Sequence, residues 1–293
     1  MSKKRSKKKK KKSCKFMCKI IDIIKLYKAY IKMRLLNEIQ YKGAAIAGVA
    51  TQFAWGFMYI MLYMAFLKDG TKMEYTINQM CSYIWLQQAF LRMFNLWSSG
   101  LDNDILEECQ KGDISVELIR PVSLYNIWHA RTFGKKIAMV TVRAIPIFVI
   151  CSLPVLGEFR LILPPNIKAF VFFILTIILS SLILMAYTMI LYGYMMKVLT
   201  SKGVTITFQM VMEFCSGGVL PLVFMPKTIM QILQFTPFYY MQHTTYNIYN
   251  GFISDIGEII KIVCIQLFWV VVLTLIGKRI IHKQTQKAII QGG

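Results

Sequence analysis

Three ionised side chains interrupt otherwise apolar runs of this chain: Arg92 in Thr76–Gly100, Arg143 in Ile137–Gly157 and Glu213 in Gly203–Phe224. A charge in apolar surroundings is costly, so such groups pair with each other or face a ligand or a path. Two readings of Glu213 stay open. It meets a cationic part of a substrate along a translocation path, or it pairs with a span arginine and holds helices together. Arg92 and Arg143, near the ends of their runs, can also snorkel to an interface. Gln87, Gln88 and Asn95 offer polar contacts between helices. Trp55, Tyr59 and Tyr63 either line a path or pack.

Catalytic constellations are missing. His129, His243 and His282 are far apart, and no HExxH zinc motif occurs. They read as interfacial or solvated. There is no GxSxG nucleophile elbow, and no GxxxxGK[ST] loop to cradle ATP. Cys14 and Cys18 form a lone CxxxC without partners for a four-ligand zinc site. Cys81, Cys151, Cys215 and Cys264 lie in or beside apolar runs, where cysteine behaves as a small hydrophobe. No metal, cofactor or enzymatic activity is expected in this chain.

The elements that must position these groups are membrane helices. Of 293 residues 56% are hydrophobic and 17% charged, against about 45–50% and 25% in soluble domains. Roughly 20 apolar residues cross a bilayer as a helix. Six runs approach that length: Gly43–Leu67, Thr76–Gly100, Ile137–Gly157, Ala169–Met196, Gly203–Phe224 and Ile259–Gly277. They are too long and too uniformly apolar for barrel strands. The fold class is therefore an all-α membrane protein with six transmembrane helices.

Basic residues set the orientation. Beyond the 16 before the first span, the side holding both termini carries five in 101–136, Lys197, Lys202 and four after the last span. The opposite side carries Lys68, Lys72, Arg160, Lys168, Lys227 and Lys261. Eleven against six places both termini in the cytoplasm, and this bias accounts for most of the net charge of +21 without invoking nucleic acid. The basic start lacks a following apolar core, so it does not read as a cleaved signal. Lys7–Lys12 is an unbroken lysine run, which stays disordered. It either tethers the chain to an anionic leaflet or only enforces topology. From 15 to 42, Ile20, Ile23, Ile24, Tyr27, Tyr30, Ile31 and Leu35 recur at helical spacing with lysines between them. That is an amphipathic interfacial helix.

Residues 101–136 form a long polar connection with six acids between Asp102 and Glu117. Asp102 can cap a short helix, and Asp104, Glu107 and Glu108 suit its positive end. Pro121 interrupts helix and pushes Arg120 towards extended backbone. A short surface helix and a kink make a docking knob for a soluble partner; an ordinary solvated loop is the alternative.

The run LDNDILEECQ followed by Gly112, Asp113, Ile114, Leu118, Arg120, Pro121 and Val122 resembles the cytoplasmic loop of type-2 ABC exporter permeases, the bacterial six-span family. A second region, 217–251, is similar to the short helices that re-enter the outer leaflet between the fifth and sixth spans of that family. Gly217, Gly218, Pro221, Pro226, Pro237 and Gly251 supply the breaks. The resemblance spans the chain from about residue 15. It implies a permease subunit in a bacterial plasma membrane, working as a homo- or heterodimer. A separate ATPase subunit would hold ATP and magnesium and dock on Asp102, Asp104, Glu107, Glu108, Gly112, Asp113, Ile114, Arg120 and Pro121. Glu213, Arg92 and Arg143 become candidates for the translocation path.

The expected organisation is a basic tail at 1–14, the interfacial helix at 15–42 and the six-span domain at 43–277. Within the last lie the docking loop 101–136 and the outer re-entrant segment 217–258; a cytoplasmic tail follows at 278–293. Two other classes remain open: a sensor or immunity protein that binds without transporting, and a lipid-modifying membrane enzyme.

Overall fold

The computed structural model describes residues 24–40, 42–68, 76–96, 104–105, 107–109, 114–119, 122–198 and 202–291. Among them it is all helical, with no strand. Helix α1 covers 24–40, α2 Lys42–Lys68, α3 Ile77–Phe94, α4 Ile114–Leu118 and α5 Leu124–Cys151. Then come α6 Ile167–Val198, α7 Lys202–Ser216, α8 Lys227–Leu233, α9 His243–Tyr249 and α10 Ile256–Gln291. The lysine tail and the first part of the amphipathic stretch lie outside the described residues.

Among the described residues three helices are long and apolar enough to cross a membrane by length and composition: Gly43–Ala65, Ile167–Val198 and Ile256–Lys287. The other three expected spans are also helical, but with different bounds. Helix α5 begins at Leu124, so 124–136 is helix where the sequence reading placed loop. Leu124, Ile127, Trp128 and Ala130 are buried on its first turns, and that burial outweighs the polar residues between them. Helix α7 stops at Ser216 after 15 residues, about 22 Å, short of a hydrocarbon core of about 30 Å. Helix α10 runs on through the residues expected to form a tail.

Helix α6 is the axis of the bundle, packed along α10 and touching α3, α5, α7 and α9. Helix α3 is the second buried element. Every residue from Met80 to Ala89 is buried, as befits a helix surrounded by others. Its start is fixed by a capping box. Thr76 Oγ1 accepts from the Gln79 N–H at 3.3 Å, and the Thr76 N–H donates to Gln79 Oε1 at 3.0 Å. Helix α2 lies on the outside and buries one stripe, Gln52, Gly56, Ile60 and Tyr63. Gly56 is required there, because a Cβ would stand 2.5 Å from the Trp85 ring.

The chain from 217 to 251 is broken into short pieces. Gly217 has φ +81°, and the Gly218 N–H donates to Glu213 O at 2.8 Å. This six-to-one bond across a left-handed residue is a Schellman stop for α7. Pro221, Pro226 and Pro237 each stand immediately before a short helix. Gly251 has φ +72° and packs on Pro165.

Candidate functional site

Two regions carry the polar groups that a membrane protein could use. The first is at the end of the bundle where α1, α4, the start of α5 and the end of α10 gather, here called the base. Arg131 on α5 reaches out to the connection before it. Its Nη1 donates to Glu108 at 2.9 and 3.1 Å and to Glu117 at 3.0 Å. Trp128, one turn earlier on the same face, donates its ring N–H to Glu117 at 2.8 Å. The connection is thus clamped to α5 by one cation shared between two carboxylates. Burial lifts the Glu108 carboxyl above the ordinary carboxylate range, and Arg131 beside it opposes that lift.

Of the expected docking acids, Asp104 and Glu107 are exposed, whereas Glu108 turns inward to Arg131. Ile114 is buried. Asp102, Gly112, Asp113, Arg120 and Pro121 lie outside the described residues. Beside the connection, a cavity of about 790 Å³ is lined by Ser123, Asn126, Lys278, Arg279 and His282 among others. The base therefore presents charges of both signs.

The histidines differ from the expectation of interfacial or solvated groups. His129 and His243 are buried, and only His282 is exposed. The Tyr27 hydroxyl and His129 Nδ1 are hydrogen-bonded at 2.6 Å, pinning α1 to α5. Burial first, and then Lys278, lower the His129 pKa to about 4.

The second region is the broken segment. Its carbonyls are met by side chains from the surrounding helices. Gln87 of α3 donates to Gly218 O, and Tyr63 of α2 to Val219 O at 3.4 Å. Gln266 of α10 and Ser180 of α6 both donate to Tyr240 O, at 2.7 and 3.2 Å. Gln242 reaches back to Ser216 Oγ at 2.9 Å. Gly217 sits against Tyr83 of α3, where a Cβ would be 3.2 Å from the hydroxyl. Irregular backbone at membrane depth needs such internal partners. None of these donors stood out as a partner of that segment in the sequence, since glutamine in a span signals only an unspecified polar contact.

The span charges separate into two groups. Arg92 and Arg143 feel each other and share the field of Glu38 on α1. The Arg143 guanidinium lies over Gly48 of α2, where a Cβ would come within 2.5 Å of it. Glu213 is elsewhere. It accepts from Gln209 one turn earlier and lies within electrostatic reach of Tyr59. Gln209 also accepts from the Leu96 N–H at 2.5 Å. The pairing of Glu213 with a span arginine does not occur among the described residues.

The aromatics of α2 form a ladder. Ring centroids are 6.1 Å apart from Trp55 to Tyr59, 6.2 Å from Tyr59 to Tyr63 and 5.0 Å from Tyr63 to Phe224. Among the described residues no group of three or more His, Cys, Asp or Glu could hold a metal ion.

A comparison with protein families matches residues 53–292 to the family described as ABC-2 family transporter protein. No curated protein matches the chain.

Proposed function

We propose, from the premise that this chain belongs to the ABC-2 transporter family, that it is the permease subunit of an ATP-driven exporter. Members of this family are membrane transport components, not catalysts. In our reading the subunit crosses the membrane six times with both termini in the cytoplasm, and α1 lies in the inner interface. Two permeases, identical or different, enclose the path. The segment 217–251 re-enters the membrane from outside. ATP and magnesium are held by a separate ATPase subunit, which docks on the base around Asp104, Glu107 and the adjoining residues 101–121.

The observation that carries this reading is the Arg131 clamp. A docking loop must be rigidly tied to the helices it moves. Arg131, Glu108, Glu117 and Trp128 tie this one to α5. α5 in turn packs on α2, α3, α6 and α10. A displacement of the loop on ATP binding would then tilt α5 against the bundle instead of bending the connection. Interfaces of packed helices switch between arrangements more readily than they deform.

The test is charge reversal at the two exposed acids, D104K/E107K. The altered chain should insert and remain monodisperse while losing its ATPase subunit on purification. Retention of the ATPase by this variant would place docking elsewhere.

A further inference from the structure

We propose that the Trp55–Tyr59–Tyr63–Phe224 ladder and Glu213, which lies within electrostatic reach of Tyr59, together bind a cationic, apolar-bodied part of the transported substrate. This rests on the permease reading and adds the substrate class to it. Glu213 is a half-buried carboxylate on a membrane helix. Among the described residues its hydrogen-bond partner is the neutral Gln209. The two span arginines that could have neutralised it are held by the α1–α2 side of the molecule. An ionised carboxylate at membrane depth is costly unless something compensates its charge, and a bound cation would do so.

Gln87 uses its amide N–H on Gly218, adjacent to the Glu213 turn, and keeps a buried oxygen without a partner. The ladder rings present faces that attract cations. Trp55 remains 48% exposed and Tyr59 half-exposed, so the lower rungs are accessible. Met210 and Phe214, flanking Glu213 on α7, are exposed and supply an apolar wall. A carboxylate, ring faces and apolar walls fit an ammonium or guanidinium group on an apolar body. They do not fit an anionic substrate.

The probe is tritiated tetraphenylphosphonium, with tetraphenylborate as an anion of equal size and shape. Binding is measured to the transporter purified with its ATPase in dodecyl maltoside, which carries no ammonium group. The expected result is retention of the cation over the anion, a loss of at least about tenfold in cation affinity in E213Q, a comparable loss in Y59L and near-normal binding in Y59F. Equal binding of the two ions, or cation binding unchanged in E213Q, overturns the proposal. So does an E213Q variant whose two permeases separate in light scattering while cation affinity holds, because the occupant is then a cation of the second copy. The co-purified ATPase reports separately on the permease reading. If it stays and the probe does not bind, the substrate class alone is wrong. If it is absent, the permease reading falls, and charge-selective binding lost in E213Q still upholds the site.

Discussion

Removing the Arg131 cation should loosen the base by a defined amount. In R131Q, Glu108 and Glu117 lose a shared partner at 2.9–3.1 Å and are left facing each other. Breaking a buried pair from one side costs about 3–5 kcal/mol. The Glu108 side chain keeps 26% of its exposure, so water returns part of that cost, and Trp128 still donates to Glu117. We expect a net loss of about 2–3 kcal/mol, or roughly 5–10 °C in the melting temperature. E108Q should cost about 1 kcal/mol, since Glu117 keeps Arg131. A single nitrogen makes all three contacts, so R131K, with one cationic nitrogen on a shorter stem, should fall between wild type and R131Q. The double variant R131Q/E108Q should recover part of the loss by removing an unpaired charge. Protonating Glu108 has the same effect, and burial raises its pKa, so the R131Q deficit should shrink as pH falls. The assay is thermal unfolding of detergent-purified protein at fixed scan rate, since unfolding of such proteins is a rate process. An R131Q protein that melts within about 2 °C of wild type, or a double variant less stable than R131Q, would refute the clamp.

Other outcomes follow from the same geometry. Gly56→Ala places a methyl 2.5 Å from a Trp85 ring that is fully buried and cannot retreat. It should cost about 1–3 kcal/mol, read as a lower melting temperature. Gln266→Leu removes one of two donors from Tyr240 O, Ser180 remaining, and should lose about 1 kcal/mol, while exposing the 217–251 segment to proteolysis. His129 has a folded pKa of about 4, below its unfolded value of about 6.5. Its stabilising contribution is therefore complete above about 6.5 and is lost as pH falls towards 4, at up to about 1.4 kcal/mol per unit. Melting curves across that window should fall more steeply for wild type than for H129N.

The sequence showed where helices would be because long apolar runs have few other solutions in a membrane. It showed their ends less well. The α5 helix starts 13 residues before its apolar run because Trp128 and its neighbours pack against other helices. Only tertiary burial reveals that, since 124–136 includes Arg131, Lys135 and Lys136. Gly217 and Gly218 were legible as breaks. That they would close a helix of 15 residues beneath Tyr83 was not. Glu213, Arg92 and Arg143 stood out as charges in apolar runs. Which charges each would feel depended on Gly48 giving room to Arg143 and on Glu38 lying on another helix, and spacing along the chain encodes neither. The Arg131 clamp was missed because its carboxylates lie 23 and 14 residues away in a connection that looked wholly solvated.

The most direct test of the central claim is affinity purification of the unaltered chain from its native membrane in mild detergent, with quantitative mass spectrometry of what remains bound. The account predicts an ATPase subunit at fixed stoichiometry and a second permease, identical or different. A chain that emerges reproducibly without an ATPase, even after gentle crosslinking, would contradict it.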